Sequence, residues 1–209
     1  MEQLTKPIEA VGLFDLDGTL ADHDAAILRD LEALRAPEEP PTPPRFDDDS
    51  PIHYQRRKWI IRSQPGWWFR LEPLKLGFDV LEVSQKLGFK THILTKGPWT
   101  SENAWTEKYQ WVKKHIGPDT DISVTTDKGL VYGNFLVDDY PEYALRWLEW
   151  RPRGRVIMPV NCRNTTFSHP QVIKYDGSNL DEVKWCLEEI MGRVVGQEFL
   201  DNYYRQKPR

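Results

Sequence analysis

The stretch Val11-Gly12-Leu13-Phe14-Asp15-Leu16-Asp17-Gly18-Thr19-Leu20 narrows the fold more than any other part of the chain. An apolar run ends there in two carboxylates two residues apart, and a glycine follows. A short apolar run bounded by a turn signal reads as a strand buried on both faces. In an open α/β sheet the ligand crevice lies outside the carboxyl ends of such strands. Asp15 and Asp17 therefore stand where chemistry is usually placed. Side chains alternate along an extended strand, but a strand end is already turning, and Gly18 permits the bend. Both carboxylates can then face one site. Two acids so close repel unless a cation sits between them. A hard divalent ion such as Mg²⁺ takes oxygen ligands and keeps waters for a phosphate. For a bare D-x-D, a turn with solvated acids would be the plainer reading.

The rest of the chain alternates helix and strand. Residues 21–36 carry Ala26, Ile27, Leu31 and Leu34 at helical spacing, and Pro37 ends the run. Residues 37–51 are Pro-rich and acidic and read as a stiff spacer. Tyr54–Ser63 predicts a short helix, and Trp67-Trp68-Phe69 follows the turn at Pro65-Gly66. Three consecutive aromatics cannot all face one core, so at least one is a candidate pocket wall. Leu74–Leu87 predicts a helix capped by Gly88. Phe89–Thr95 predicts a strand. Ser101–Ile116 predicts a helix with Ser101 as its N-cap. Strands are expected at Ile122–Thr125, Asn134–Asp139, Arg155–Val160 and Val172–Tyr175, with helices at Pro141–Trp150 and Asn179–Phe199. From residue 76 onward this order predicts a doubly wound parallel sheet.

Four motifs stand in a fixed order. The first is Asp15-Leu16-Asp17-Gly18-Thr19-Leu20. The second is a strand ending in Thr95, the third is Lys128, and the fourth is Asp138-Asp139 after an apolar strand. This set resembles the haloacid dehalogenase (HAD) superfamily of phosphotransferases. The resemblance implies a HAD-like, Rossmann-type α/β core over residues 1–19 and 76–209, with a helical C1-type cap inserted over residues 20–75. A closer resemblance rests on Pro65-Gly66-Trp67-Trp68 with Leu71-Glu72-Pro73, on Glu107-Lys108-Tyr109-Gln110-Trp111-Val112, and on Thr126-Asp127-Lys128…Asp138-Asp139. These segments are similar to the 5′(3′)-deoxyribonucleotidases over about residues 10–20 and 64–140.

The resemblance implies that Asp15 is the nucleophile and Asp17 the general acid and base. Thr95 and Lys128 would complete the phosphate cradle. Mg²⁺ would be held by Asp15, the Asp17 carbonyl, Asp138 and Asp139. Trp67 and Trp68 occupy the family's base-binding positions. The chain departs from that family at Thr95-Lys96-Gly97-Pro98-Trp99, where T-S-P and a later lysine are usual. Lys96 is expected to serve the phosphate in the serine's place, and Trp99 to add an apolar wall. The implied activity is hydrolysis of (deoxy)nucleoside 5′-monophosphates through an aspartyl-phosphate.

Charge bears on the alternatives. With 28 basic and 32 acidic residues the formal charge is −4, which gives no reason to expect a nucleic-acid or membrane surface. That weighs against a phosphatase on nucleic-acid ends. A HAD phosphatase for another small phosphometabolite remains open, whereas a non-catalytic nucleotide-binding module would show the loss of a motif residue, and none is lost. The expected partner is a small nucleotide, with a homodimer compatible. Cys162 and Cys186 have no metal-ligand spacing and suit a reducing compartment. The polar N-terminus does not read as a signal peptide. A soluble cytoplasmic protein is expected.

Overall fold

The structure is a computed structural model that describes residues 9–43, 50–98 and 101–196. Trp99, one of the expected substrate contacts, lies outside the described residues, as do residues 44–49 of the Pro-rich stretch. The strands are β1 Val11–Phe14, β2 Lys90–Thr95, β3 Asp121–Val124, β4 Phe135–Val137, β5 Val156–Pro159 and β6 Val172–Tyr175. They form one parallel sheet in the order β3-β2-β1-β4-β5-β6. The chain winds outward from β1 to β3, then returns to the other side of β1 as β4. The strand order therefore reverses between β1 and β4, and an open α/β sheet binds its ligand at such a switch point. Asp15 and Asp17 follow β1 and Asp138 and Asp139 follow β4.

Alternate residues of each strand feed opposite faces of the sheet. Phe14, Ile93, Phe135, Val137 and Ile157 join one buried cluster with helices α3 (Lys75–Lys86), α4 (Glu102–His115) and α6 (Leu180–Val195). Leu13, Leu94, Leu136, Val156 and Met158 join another with α5 (Pro141–Leu148). Burial on both faces explains why β1 and β4 read as continuous apolar runs rather than alternating ones.

Between β1 and α3 the chain builds α1 (His23–Ala33), α2 (Ile52–Arg62) and a 3-10 turn at Trp68–Arg70. Ile27, Leu31, Tyr54, Ile61, Trp67 and Trp68 of this insertion belong to the same apolar cluster as Phe14 and Ile93. The insertion is thus packed continuously with the sheet. The Pro-rich stretch is tied down where it is described: Glu39 accepts two hydrogen bonds from Arg57 of α2, at 2.7 and 2.8 Å.

Local signals act differently at different helix ends. Gly88 adopts φ 91° after α3, with Phe89 N donating to Ser84 O and Gly88 N to Gln85 O, a Schellman arrangement. Ser101 stands at the N-cap position of α4, as expected, but its side chain makes no capping hydrogen bond. Its hydroxyl donates instead to the Arg62 carbonyl at 3.3 Å, tethering the insertion to the core. Helix α6 runs to Val195, where Gly196 takes φ 87°, and the expected end at Phe199 lies outside the described residues. No helix among the described residues is long and apolar enough to cross a membrane.

Gly77 of α3 shows how closely the first motif is packed. A Cβ built there would lie 1.9 Å from the Thr19 carbonyl oxygen. Helix propensity favours Ala over Gly by about 1 kcal/mol, while overpacking against backbone costs roughly 1–3 kcal/mol. The contact is with main chain and far inside van der Waals distance, so the steric cost wins. Gly77→Ala should lower Tm by roughly 2–8 °C, at about 2–4 °C per kcal/mol for a chain this size. Calorimetry showing an unchanged or raised Tm would refute this close fit.

Candidate active site

The turn after β1 is built by the backbone. Leu20 N and Ala21 N both donate to Leu16 O, at 2.9 and 2.7 Å, and Gly18 N donates to Ala21 O at 2.9 Å. Gly18 sits at φ 81°, and a Cβ there would lie 2.7 Å from Asp139 Oδ2. Glycine is required both for the turn and for the approach of the fourth motif. Thr19 ties the two together: its hydroxyl donates to Asp139 Oδ1 at 3.2 Å and accepts from Asp139 N at 3.1 Å.

Lys128 lies at the centre. Its Nζ is 2.6 Å from Asp15 Oδ1 and 2.6 Å from Asp138 Oδ2, with the residue 1% exposed. A 3-10 turn at Lys128–Leu130 carries it, capped by Asp127, whose side chain accepts from Gly129 N at 2.9 Å. Arg146 of α5 holds Asp127 in turn at 2.7 Å. Burial alone would push the Lys128 ammonium down, but the Asp138 and Asp15 carboxylates outweigh it, and its pKa lies above the ordinary lysine value.

Asp15, Asp138 and Asp139 each offer an oxygen within 4.8 Å of the others, and all three are buried. Burial pushes all three upward. Lys128 opposes the rise in Asp15 and Asp138, and Arg163 opposes it in Asp139. Asp138 is pushed up to about 7 and Asp139 to about 6. Three buried oxygen ligands with surplus negative charge fit a hard divalent cation. Asp139 Oδ2 is also held by Asn161 at 2.6 Å and Arg163 at 3.2 Å.

Asp17 faces a different partner. Lys108 Nζ lies 2.5 Å from Asp17 Oδ2, 2.8 Å from the Lys96 carbonyl oxygen and 3.3 Å from Thr95 Oγ1. Asp17 Oδ1 is buried and has no hydrogen-bond partner among the described residues. A cavity of about 470 Å³ opens over these groups, and the insertion supplies His23, Arg62 and Trp68 to its wall.

The sequence-predicted residues are thus distributed in three ways. Asp15, Asp17, Asp139, Lys96 and Trp68 border the cavity. Asp138, Lys128 and Thr95 stand directly behind it: Asp138 and Lys128 contact each other, and Thr95 is reached through Lys108. Trp67 lies away from it, its indole N–H donating to Asp30 at 2.8 Å within the insertion. Trp68 is 3% exposed and Lys108 Nζ sits 4.7 Å from its ring centroid, so it offers the cavity an edge rather than an open face.

Several cavity residues had no role assigned from sequence. Lys108 stood inside the quoted Glu107–Val112 segment, but a helical lysine gives no sign of its partner across the fold. Thr19 was inside the first motif. Arg62 reaches the cavity from α2; burial lowers its pKa while Asp17 raises it, and Nε makes only a 3.4 Å bond to Lys58 O. Arg163 bridges Asp24 at 2.6 Å and Asp139 at 3.2 Å from a loop with no motif.

Comparison with known proteins agrees with this geometry. Residues 9–174 match the family model described as 5′ nucleotidase, deoxy (Pyrimidine), cytosolic type C protein. The cytosolic type 5′(3′)-deoxyribonucleotidase of Homo sapiens is 31% identical over 173 residues, covering 73% of this chain and 80% of the human protein. A haloacid dehalogenase-like hydrolase from Burkholderia xenovorans superposes with TM-score 0.50 at 15% identity, covering 88% of this chain and 99% of that one. A haloacid dehalogenase-like hydrolase from Xanthomonas campestris gives TM-score 0.50 at 13% identity, covering 90% and 100%. At such low identity these structures speak for the fold alone, which is HAD-like.

The raised carboxyls make a prediction about metal and pH. In the metal-free protein Asp138 and Asp139 bind protons more tightly folded than unfolded. Their contribution to stability is therefore lost as pH rises from about 4 through about 7. A divalent cation replaces those protons. At about 100 times its Kd, Mg²⁺ should add about 2.7 kcal/mol, or roughly 5–11 °C in Tm. The shift should be larger at pH 8 than at pH 5, where protons compete. Equal Mg²⁺ shifts at the two pH values by calorimetry would refute the metal assignment.

Proposed function

The chain belongs to the 5′ nucleotidase, deoxy (pyrimidine), cytosolic type C family, and from that premise we propose that it hydrolyses (deoxy)nucleoside 5′-monophosphates to nucleoside and phosphate. The observation that carries the proposal is Lys128, buried between Asp15 and Asp138 directly behind the cavity.

In the proposed reaction Asp15 attacks phosphorus in line. A bond forms from its carboxylate oxygen to phosphorus, and the bond from phosphorus to the 5′ oxygen breaks. Asp17 gives the leaving oxygen its proton through Oδ1, the atom that Lys108 leaves free. Water then attacks the aspartyl-phosphate, Asp17 takes its proton, and Asp15 is regenerated with release of phosphate. Lys128 holds Asp15 in position and offsets charge on the transferring group. Asp15, Asp138 and Asp139 would hold Mg²⁺, which supplies charge neutralisation for the phosphoryl oxygens.

Lys96 and Arg62 are proposed as substrate contacts at the cavity wall, with the edge of Trp68 beside them. Lys96 Nζ lies 5.7 Å from the Tyr143 ring centroid and Lys128 Nζ lies 4.7 Å from it, so both cations border one aromatic surface. Trp67 is proposed to act behind the wall, through its packing against Trp68 at a centroid distance of 4.9 Å.

Three measurements test this reading. Against a panel of 5′- and 3′-monophosphates and sugar phosphates, 5′-nucleotides should give the highest kcat/KM. Preference for a sugar phosphate would move the chain to another metabolite. Asp15→Asn should lower kcat by at least about a thousandfold with Tm preserved, since removing a nucleophile typically costs far more than any neighbouring group. Persistence of Mg²⁺-dependent turnover within about tenfold of wild type would remove Asp15 from its role. Lys96→Ala should lower kcat/KM about tenfold or more if its ammonium reaches the phosphate, as charged hydrogen bonds contribute about 1.5–3 kcal/mol. An unchanged kcat/KM for every nucleotide tested would place Lys96 in solvent.

A further inference from the structure

A second cavity lies at the amino-terminal end of β4 and β5, the end of the strands opposite the catalytic one. It encloses about 460 Å³, within the range of small-molecule sites. Asn134, which precedes β4, helps line it, while Asp138 follows β4 at the catalytic end. Four residues of extended strand separate the two, about 13 Å at 3.3 Å per residue. None of the catalytic residues borders this second cavity.

Its lining carries three guanidinium groups, Arg151, Arg153 and Arg193, and no carboxylate. The three come from the loop between α5 and β5 and from the last turn of α6. Arg151 is pinned. Its two terminal nitrogens donate to the carbonyls of Gly129 at 3.0 Å, Trp147 at 2.8 Å and Val131 at 2.7 Å, and its guanidinium lies 4.4 Å from the Trp147 ring centroid. Arg153 and Arg193 have no hydrogen-bond or ion-pair partner among the described residues. Three arginines and no carboxylate on one cavity lining stand out on a chain of formal charge −4. The carboxyl end of α6 also reaches the rim, and it contributes only about half a negative charge. Three full positive charges outweigh it.

Guanidinium forks match phosphate oxygens in pairs, and a concave site with several of them suits an anion bearing several charges. We propose that this cavity binds the phosphate chain of a di- or triphosphate, at a site separate from the catalytic one. The inference is independent of the reaction assigned above. Two sources share this chemistry, an inorganic polyphosphate and a nucleoside triphosphate. Tyr132, 70% exposed at the lip, offers a flat ring on which a base can stack.

The test uses the full chain carrying Asp15→Asn, without divalent cation, titrated calorimetrically with inorganic tripolyphosphate and, separately, with adenosine triphosphate. Hydrogen exchange follows the same additions. The proposal expects protection of residues 132–134 and 151–154. It expects Arg153→Ala/Arg193→Ala to weaken the Kd at least about tenfold, while the same pair in the wild-type background leaves kcat/KM for a monophosphate within about twofold. Equal affinity for the two probes assigns the site to the phosphate chain alone. Tighter binding of the nucleotide, lost in Tyr132→Ala, assigns it to a nucleoside triphosphate. An unchanged Kd in the double variant, or protection confined to residues 15–17 and 138–139, overturns the proposal.

Discussion

The structure turns on one buried ammonium. Lys128 is the point at which Asp15 and Asp138, from two different strands, are allowed to approach. Without it, neighbouring buried carboxylates would have to protonate or separate, since an unpaired buried charge costs several kcal/mol. The arrangement is held from outside as well. Arg146 fixes Asp127, Asp127 caps the turn, and the turn aims Lys128. A surface ion pair of this kind contributes little to stability by itself; here its consequence is positional.

The insertion depends on a second buried group. Glu107 of α4 accepts from Gly66 N at 2.6 Å and from Trp68 N at 3.1 Å, so a core helix grips the turn that presents the aromatic edge. The next residue, Lys108, points to Asp17. Adjacent residues on one helix therefore set the position of the insertion and the partner of Asp17. This explains why the wall and floor of the cavity are in register although residues 15–74, sixty in all, separate β1 from α3.

What could be read from the sequence follows from range. β1, β4, the Schellman end of α3 and the D-L-D-G-T-L turn are specified by residues within a few positions of one another, and those appeared as expected. The clustered carboxylates Asp15, Asp138 and Asp139 could be picked out because they follow apolar strands. Ser101 marked the start of α4 correctly, but its hydroxyl is used across the fold, on the Arg62 carbonyl rather than on its own helix. Trp67 and Trp68 look equivalent in sequence, yet a 3-10 turn rotates one toward Asp30 and the other toward Lys108. Arg62 and Arg163 approach the site from elements without motifs, so nothing local announced them.

Charge in and around the cavity limits the kind of phosphate it suits. The carboxylates are Asp15, Asp17, Asp24, Asp138 and Asp139, and the permanent cations are Arg62, Lys96, Lys108, Lys128 and Arg163. With Asp17 carrying the proton it gives up in the proposed reaction, the cations exceed the carboxylates by one. A divalent cation at the carboxylate cluster would raise that surplus to three. A phosphate monoester carries close to two negative charges at neutral pH, since its second pKa is near 6. It would offset more of the surplus than a diester, whose single negative charge leaves more positive charge uncompensated in a partly desolvated site. On the proposed reading, the charges around the cavity therefore favour monoesters over diesters before any contact with sugar or base is made.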